Sequence, residues 1–198
     1  EFREVMREFY SPLKALEPQL RFVFLTGITK FSQLSIFSEL NNMQNVSMEP
    51  SFAGICGITA EELERDLAPD VALLAERMGM SEPECRAALK AKYDGYRFCE
   101  GSPDIYNPYS LVNALQYGRI GSYWFESGTP SSLVRMLKTS GFDLSDLEGV
   151  EARAVTFDAP TEGMATPVPF MYQAGYLTIK SYDADYDAYT LGIPNEEV

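Results

Sequence analysis

Between residues 59 and 141 the chain is divided by its own start and stop signals into short helical segments. Thr59 and Glu62 form a T-x-x-E capping box, followed by Leu63, Leu67, Val71, Leu74 and Met78 on one helical face. Pro69 falls inside that stripe. It lacks an amide donor and crowds the preceding turn, so a kink or a split is predicted there. Ser81 and Glu84 repeat the box and open a helix through Ala87, Leu89 and Tyr93 that stops at Gly95. Asn107-Pro108 and Thr129-Pro130 each place a capping side chain before a proline that suits a first helical turn. The helices they start are expected to end near Gly118 and Gly141.

The two ends of the chain read differently. Phe2, Val5, Met6, Phe9, Leu13 and Leu16 recur at helical spacing, which predicts an amphipathic helix over 2–16 that Pro18 ends. The apolar run at 21–26 then predicts a buried strand of the parallel-sheet kind, so that helix and strand make the αβ half of a βαβ unit. Near the other end, Thr166-Pro167 starts a helix to Ala174 and Gly175 stops it. "YLTIKSY" and "AYTLG" follow around the polar "DADYD", predicting a hairpin over 176–191. A helix followed by a hairpin is the outline of a winged-helix unit. Residues 144–165, with acidic turns and a Pro-Thr-Glu-Gly loop, fit neither period. The expected class is α+β, mostly helical.

With 198 residues, 45% hydrophobic and 13% aromatic, the chain can bury a substantial core. Its net charge of −13 is spread along the sequence and repels phosphate backbones, so nucleic acid is not an expected partner. Cys56, Cys85 and Cys99 are odd in number and form no CxxC pair, which points to a reducing, cytoplasmic setting. The chain has no histidine, which excludes Ser-His and Cys-His nucleophile systems and His-containing zinc sites within it. No apolar run is long enough to cross a bilayer, and the opening residues read as the middle of a helix, as a shortened chain would.

Chemistry-bearing residues gather at the tip of the predicted strand. Thr26, Lys30 and Ser32 lie just past its carboxyl end, where open α/β sheets bind ligands. A hydroxyl and an ammonium there can contact a phosphate or position a water, as sensor residues do in nucleoside triphosphatases. Equally, the threonine caps the next segment and the lysine joins a surface ion pair. Arg97, between Tyr96 and Phe98, is either a phosphate-sensing arginine of a lid or a side chain stacked on a ring. No G-x-x-x-x-G-K-[ST] loop occurs, nor an apolar strand ending in paired acids for magnesium, so no catalysis is expected of this chain by itself. Asp94, Asp104 and Glu126 show no spacing suggestive of acid–base work. "DADYD" lacks the glycine and the final glutamate of a calcium loop and reads as a solvated turn.

"FVFLTGITKFSQLSIFSELNNMQNVSMEPSFAGICGITAEEL", "KYDGYRF", "YNPYSLVNAL", "YWFESGTPSSLV", "QAGYLTIKSYD" and "YTLGIPNEEV" occur in this order. Together they resemble the second half of the bacterial AAA-ATPase-like proteins, whose C-terminal region commonly resembles a PD-(D/E)XK nuclease. The resemblance implies that residues 1–52 are the last part of an ATPase core and 53–198 a helical lid with a winged-helix-like end. It implies that the phosphate-binding loop and the magnesium-holding acids precede residue 1, and that the nuclease-like region follows residue 198. ATP and magnesium then belong to the full-length parent, with none expected on this piece. The expected partners are those missing regions, with self-association through 21–26 and no membrane. Thr26 and Lys30 match the strand-tip position at which related ATPases sense the terminal phosphate, with Ser32 beside them and Arg97 in the lid. Pro69 departs from the family pattern by interrupting a usually continuous helix. The alternative function is a nucleotide-independent module that binds protein or DNA.

Overall fold

The computed structural model describes residues 2–27, 43–126, 131–142, 147–157 and 166–198. Both capping boxes form. Thr59 Oγ1 accepts from the Glu62 amide at 3.1 Å while the Glu62 carboxylate accepts from the Thr59 amide at 2.9 Å. Helix α3 (Ala60–Asp66) starts there, and α4 (Ala68–Met78) follows after a break at Leu67, with Pro69 in its first turn. Proline at that position forfeits no intrahelical bond, because the first turn has no partner for its amide anyway. The predicted split is therefore how the chain accommodates Pro69. Ser81 and Glu84 open α5 (Glu82–Tyr93), and Asn107 accepts from the Tyr109 and Ser110 amides to open α6 (Pro108–Tyr117). Gly79 and Gly118 end α4 and α6 in the left-handed conformation that a side chain would oppose. A four-residue helix α7 (Tyr123–Glu126) and α8 (Ser131–Ser140) come next, and Thr129-Pro130 lie outside the described residues.

These helices enclose a first core of Leu63, Val71, Leu74, Cys85, Leu89, Tyr93, Tyr106 and Leu111. A two-residue antiparallel pairing of β1 (Ile58–Thr59) with β2 (Ile105–Tyr106) closes its edge. The second core lies under a three-stranded antiparallel sheet. Its order is β3 (Val150–Ala152), β5 (Ala188–Gly192), β4 (Thr178–Asp183), with β5 in the centre. The predicted hairpin is present as β4 and β5, preceded by α10 (Val168–Gln173) and Gly175 at φ +83°. The "DADYD" turn is the solvated one expected: Asp183 Oδ1 accepts from the Asp185 amide, and Asp187 takes φ +48°. The strand β3 and the short helix α9 (Ala154–Phe157) lie in the stretch that fits no period in the sequence. Leu133, Val168, Phe170, Met171, Leu177, Ile179 and Leu191 fill this core, and Met48 packs on it from the amino-terminal side.

Two expectations for the amino-terminal segment need correction. The helix over 2–16 is divided into α1 (Phe2–Tyr10) and α2 (Pro12–Ala15), because Pro12 lacks the amide that would continue the ladder. Residues 21–26, expected as a buried strand, form no strand among the described residues, and Phe22 is 78% exposed. A strand exists only through ladder bonds to a neighbour, and no neighbour is provided there among the described residues. Phe9, at 73% exposure, is uncovered as well. Among the described residues no helix is long and apolar enough to cross a membrane.

The Thr59 box joins α3 to the edge of the first core, so its loss is felt as stability. Thr59→Ala should cost about 1 kcal/mol in urea unfolding, the usual worth of such a cap. No change on that substitution would show that tertiary packing alone fixes the start of α3.

Candidate functional site

The motif residues converge on a seam between the two cores. After α5, Asp94 and Gly95 turn the chain so that Tyr96 pairs with Ile105 in a single antiparallel bridge. Gly95 sits at φ +99°, and a Cβ there would strike the Pro194 carbonyl. Glycine is therefore required twice over, for conformation and for close approach. Arg97 then fastens this loop to the sheet. Its amide donates to Thr178 Oγ1 at 2.7 Å, and the Thr178 hydroxyl donates to the Arg97 carbonyl at 3.1 Å. The Arg97 guanidinium pairs with Asp104 at 2.6 Å and donates to the Lys180 carbonyl at 3.1 Å.

The carboxyl-terminal residues complete the seam. The Glu196 amide donates to the Ala91 carbonyl, Lys92 Nζ donates to the Glu196 carbonyl, and Asn195 Nδ2 donates to the Asp94 carbonyl. Glu197 Oε1 accepts from Ser110 Oγ at 2.8 Å and from the Trp124 amide at 2.9 Å. Around these groups the rings of Tyr96, Trp124 and Tyr176 gather beside Gly175, with Trp124 and Tyr176 centred 5.0 Å apart. Tyr93 donates its hydroxyl to the Gly121 carbonyl and accepts from the Gly121 amide.

Burial dominates the electrostatics. Removal from water pushes the hydroxyls of Tyr93, Tyr96 and Tyr106 up to about 12. The Asp94 carboxyl is only 4% exposed and is raised above its ordinary value, chiefly by burial, against a hydrogen bond from the Gly95 amide. Glu197 is equally buried, and one oxygen of each carboxylate has no protein partner. Among the described residues no three Asp, Glu or Cys side chains come together as metal ligands.

Of the residues singled out for nucleotide sensing, Thr26 is exposed in the amino-terminal segment and Arg97 is held in the seam; no hydrogen bond joins them. Lys30 and Ser32 lie outside the described residues. Thr178 and Glu197 were not legible as site residues, because neither stands in a motif with its partners. Ser110 and Glu197 are 87 positions apart, and only folding brings them within hydrogen-bond distance.

Residues 1–37 match the family model of predicted AAA-ATPases. Over 200 aligned residues the whole chain is 34% identical to an Azotobacter chroococcum mcd 1 protein described as an uncharacterized protein in the vnfD 5′ region. The chain spans 36% of the length of that relative. No solved structure matches the chain.

The buried Asp94 makes a pH-dependent contribution whose sign follows from its raised carboxyl. A group of this kind favours the fold while protonated and loses that contribution as pH rises through its folded-state value. Asp94→Asn should therefore raise stability at pH 7 by about 1 kcal/mol, and the gain should shrink toward pH 4. Urea unfolding at the two pH values checks this. Destabilisation by the substitution at pH 7 would show that the neighbouring cations Lys90 and Arg97 outweigh the cost of burying the ionised carboxylate.

Proposed function

We propose that this chain is the portion of an ATP-binding, ATP-hydrolysing protein that follows its phosphate-binding region, contributing sensor and lid elements. The observation that carries the reading is the match of residues 1–37 to predicted AAA-ATPases, continuous with a body that packs into two cores. In this reading residues 1–52 end the nucleotide-binding core and 53–198 form the lid, with ATP and magnesium held by upstream residues. Thr26, Lys30 and Ser32 sense the terminal phosphate. Arg97 takes part only if a phosphate competes with Asp104 for its guanidinium. A nuclease-like region beyond the chain and a cytoplasmic setting belong to the same proposal.

The exposed apolar residues Phe9, Phe22 and Phe24 support the first part of it. In the reading, the cover for these exposed rings is the remainder of the nucleotide-binding core. In the 198-residue chain alone the same surface should promote self-association through 21–26, visible as concentration-dependent light scattering.

The nucleotide arithmetic sets the decisive test. Charge-assisted contacts from Thr26 and Lys30 contribute on the order of 1.5–3 kcal/mol each. Two of them fall short of the roughly 8 kcal/mol that micromolar binding requires. The 198-residue chain should therefore bind ATP weakly and leave it intact, whereas a longer protein that includes the upstream region should bind and hydrolyse it. In that longer protein Lys30→Ala should lower turnover more than ATP affinity, since a sensor acts mainly on the transferring phosphate. Calorimetry giving micromolar ATP affinity for the 198-residue chain, or unchanged turnover in the Lys30→Ala protein, would contradict the assignment.

A further inference from the structure

Residues 194–198 belong to no helix or strand and lie along the end of α5 as a strap. The Glu196 amide donates to the Ala91 carbonyl at 3.1 Å, and Lys92 Nζ donates to the Glu196 carbonyl at 3.0 Å. Asn195 Nδ2 reaches the Asp94 carbonyl at 2.9 Å, just past the helix. The Ala91 carbonyl is one of those that the last turn of a helix leaves without an internal partner, and the strap supplies it. Pro194 is buried against Gly95, where no side chain intervenes.

The strap then passes on to α6 and α7 through one carboxylate. Glu197 Oε1 accepts from the buried Ser110 hydroxyl at 2.8 Å and from the Trp124 amide at 2.9 Å. Trp124 stands in the first turn of α7, which has four residues. So short a helix does not hold itself in water. Its position is set by contacts from outside, and Glu197 supplies one of them from 73 positions away. The Trp124 ring in turn meets Tyr176, 5.0 Å away and just ahead of β4.

Docking of the strap carries an opposing cost. Glu197 is 4% exposed, and its Oε2 has no hydrogen-bond partner, so that oxygen has given up water without replacement. Release returns it to solvent. Release also removes no side chain from either core, since both are built without residues 194–198. We infer that the strap is a latch on α7: docked, it holds the helix through Glu197, and released, it frees α7 while both cores stay folded. A partner that takes hold of residues 195–198, or a pull on them, thereby reaches the Trp124–Tyr176 contact without unfolding the body.

Native-state hydrogen exchange of the 198-residue chain tests the latch. The Glu196 and Trp124 amides should open together, and at least about tenfold more often than the Leu89 and Leu111 amides of the first core. Glu197→Ala should open both a further tenfold or so, as expected for lost bonds to a charged group, and leave Leu89 and Leu111 unchanged. Glu197→Gln keeps an acceptor oxygen and should restore most of the protection. Glu196→Ala, at an exposed position engaged through its backbone, should behave as the native chain. Trp124 opening only together with Leu89 and Leu111, or separately from Glu196, would overturn the inference in the native chain, whether or not the variants fold. So would a Trp124 amide that stays protected in Glu197→Ala.

Discussion

One hydroxyl joins the halves of this molecule. Thr178 accepts the Arg97 amide and returns a hydrogen bond to the Arg97 carbonyl, so a strand residue of the second core satisfies both backbone groups of a loop that leaves the first. An unpaired buried backbone group costs free energy comparable to a lost hydrogen bond, and here two would be unpaired together. The Arg97 guanidinium extends the junction to Asp104 and Lys180, and Gly95 brings the Pro194 backbone close enough for the last residues to thread back along α5. The sheet of the second core meets the first core through that junction.

The consequence for function is mechanical. A helical core and an antiparallel sheet joined by directed bonds are expected to move together, as the lid of the proposed reading would have to in order to transmit closure. The same seam contains two carboxylates with unpartnered oxygens, a cost tolerated inside an otherwise well-satisfied network.

Legibility in the sequence followed the range of the interactions. Thr59, Ser81, Asn107, Pro69 and Gly118 act within a turn of their own position, so the starts, stops and split they cause could be read directly. The hairpin was equally readable, because alternation on either side of "DADYD" is local. β1, β2 and β3 have two or three residues each and owe their existence to distant partners, so no period marks them. Residues 21–26 show the converse: apolar strand-like residues do not make a strand without a neighbour to pair with. The seam was visible only as separate motifs, since Thr178 and Glu197 are unremarkable until folding sets them beside Arg97 and Ser110.

Native-state hydrogen exchange tests most directly whether that seam makes the two cores one unit. The amides of Leu89 and Leu111 in the first core, and of Ile179 and Leu191 in the second, should exchange with one common opening free energy in the native chain. In Thr178→Val, which keeps the shape and removes the hydroxyl, the second pair should open at lower free energy than the first. Separate opening energies for the two pairs in the native chain, or no separation in Thr178→Val, would contradict the account.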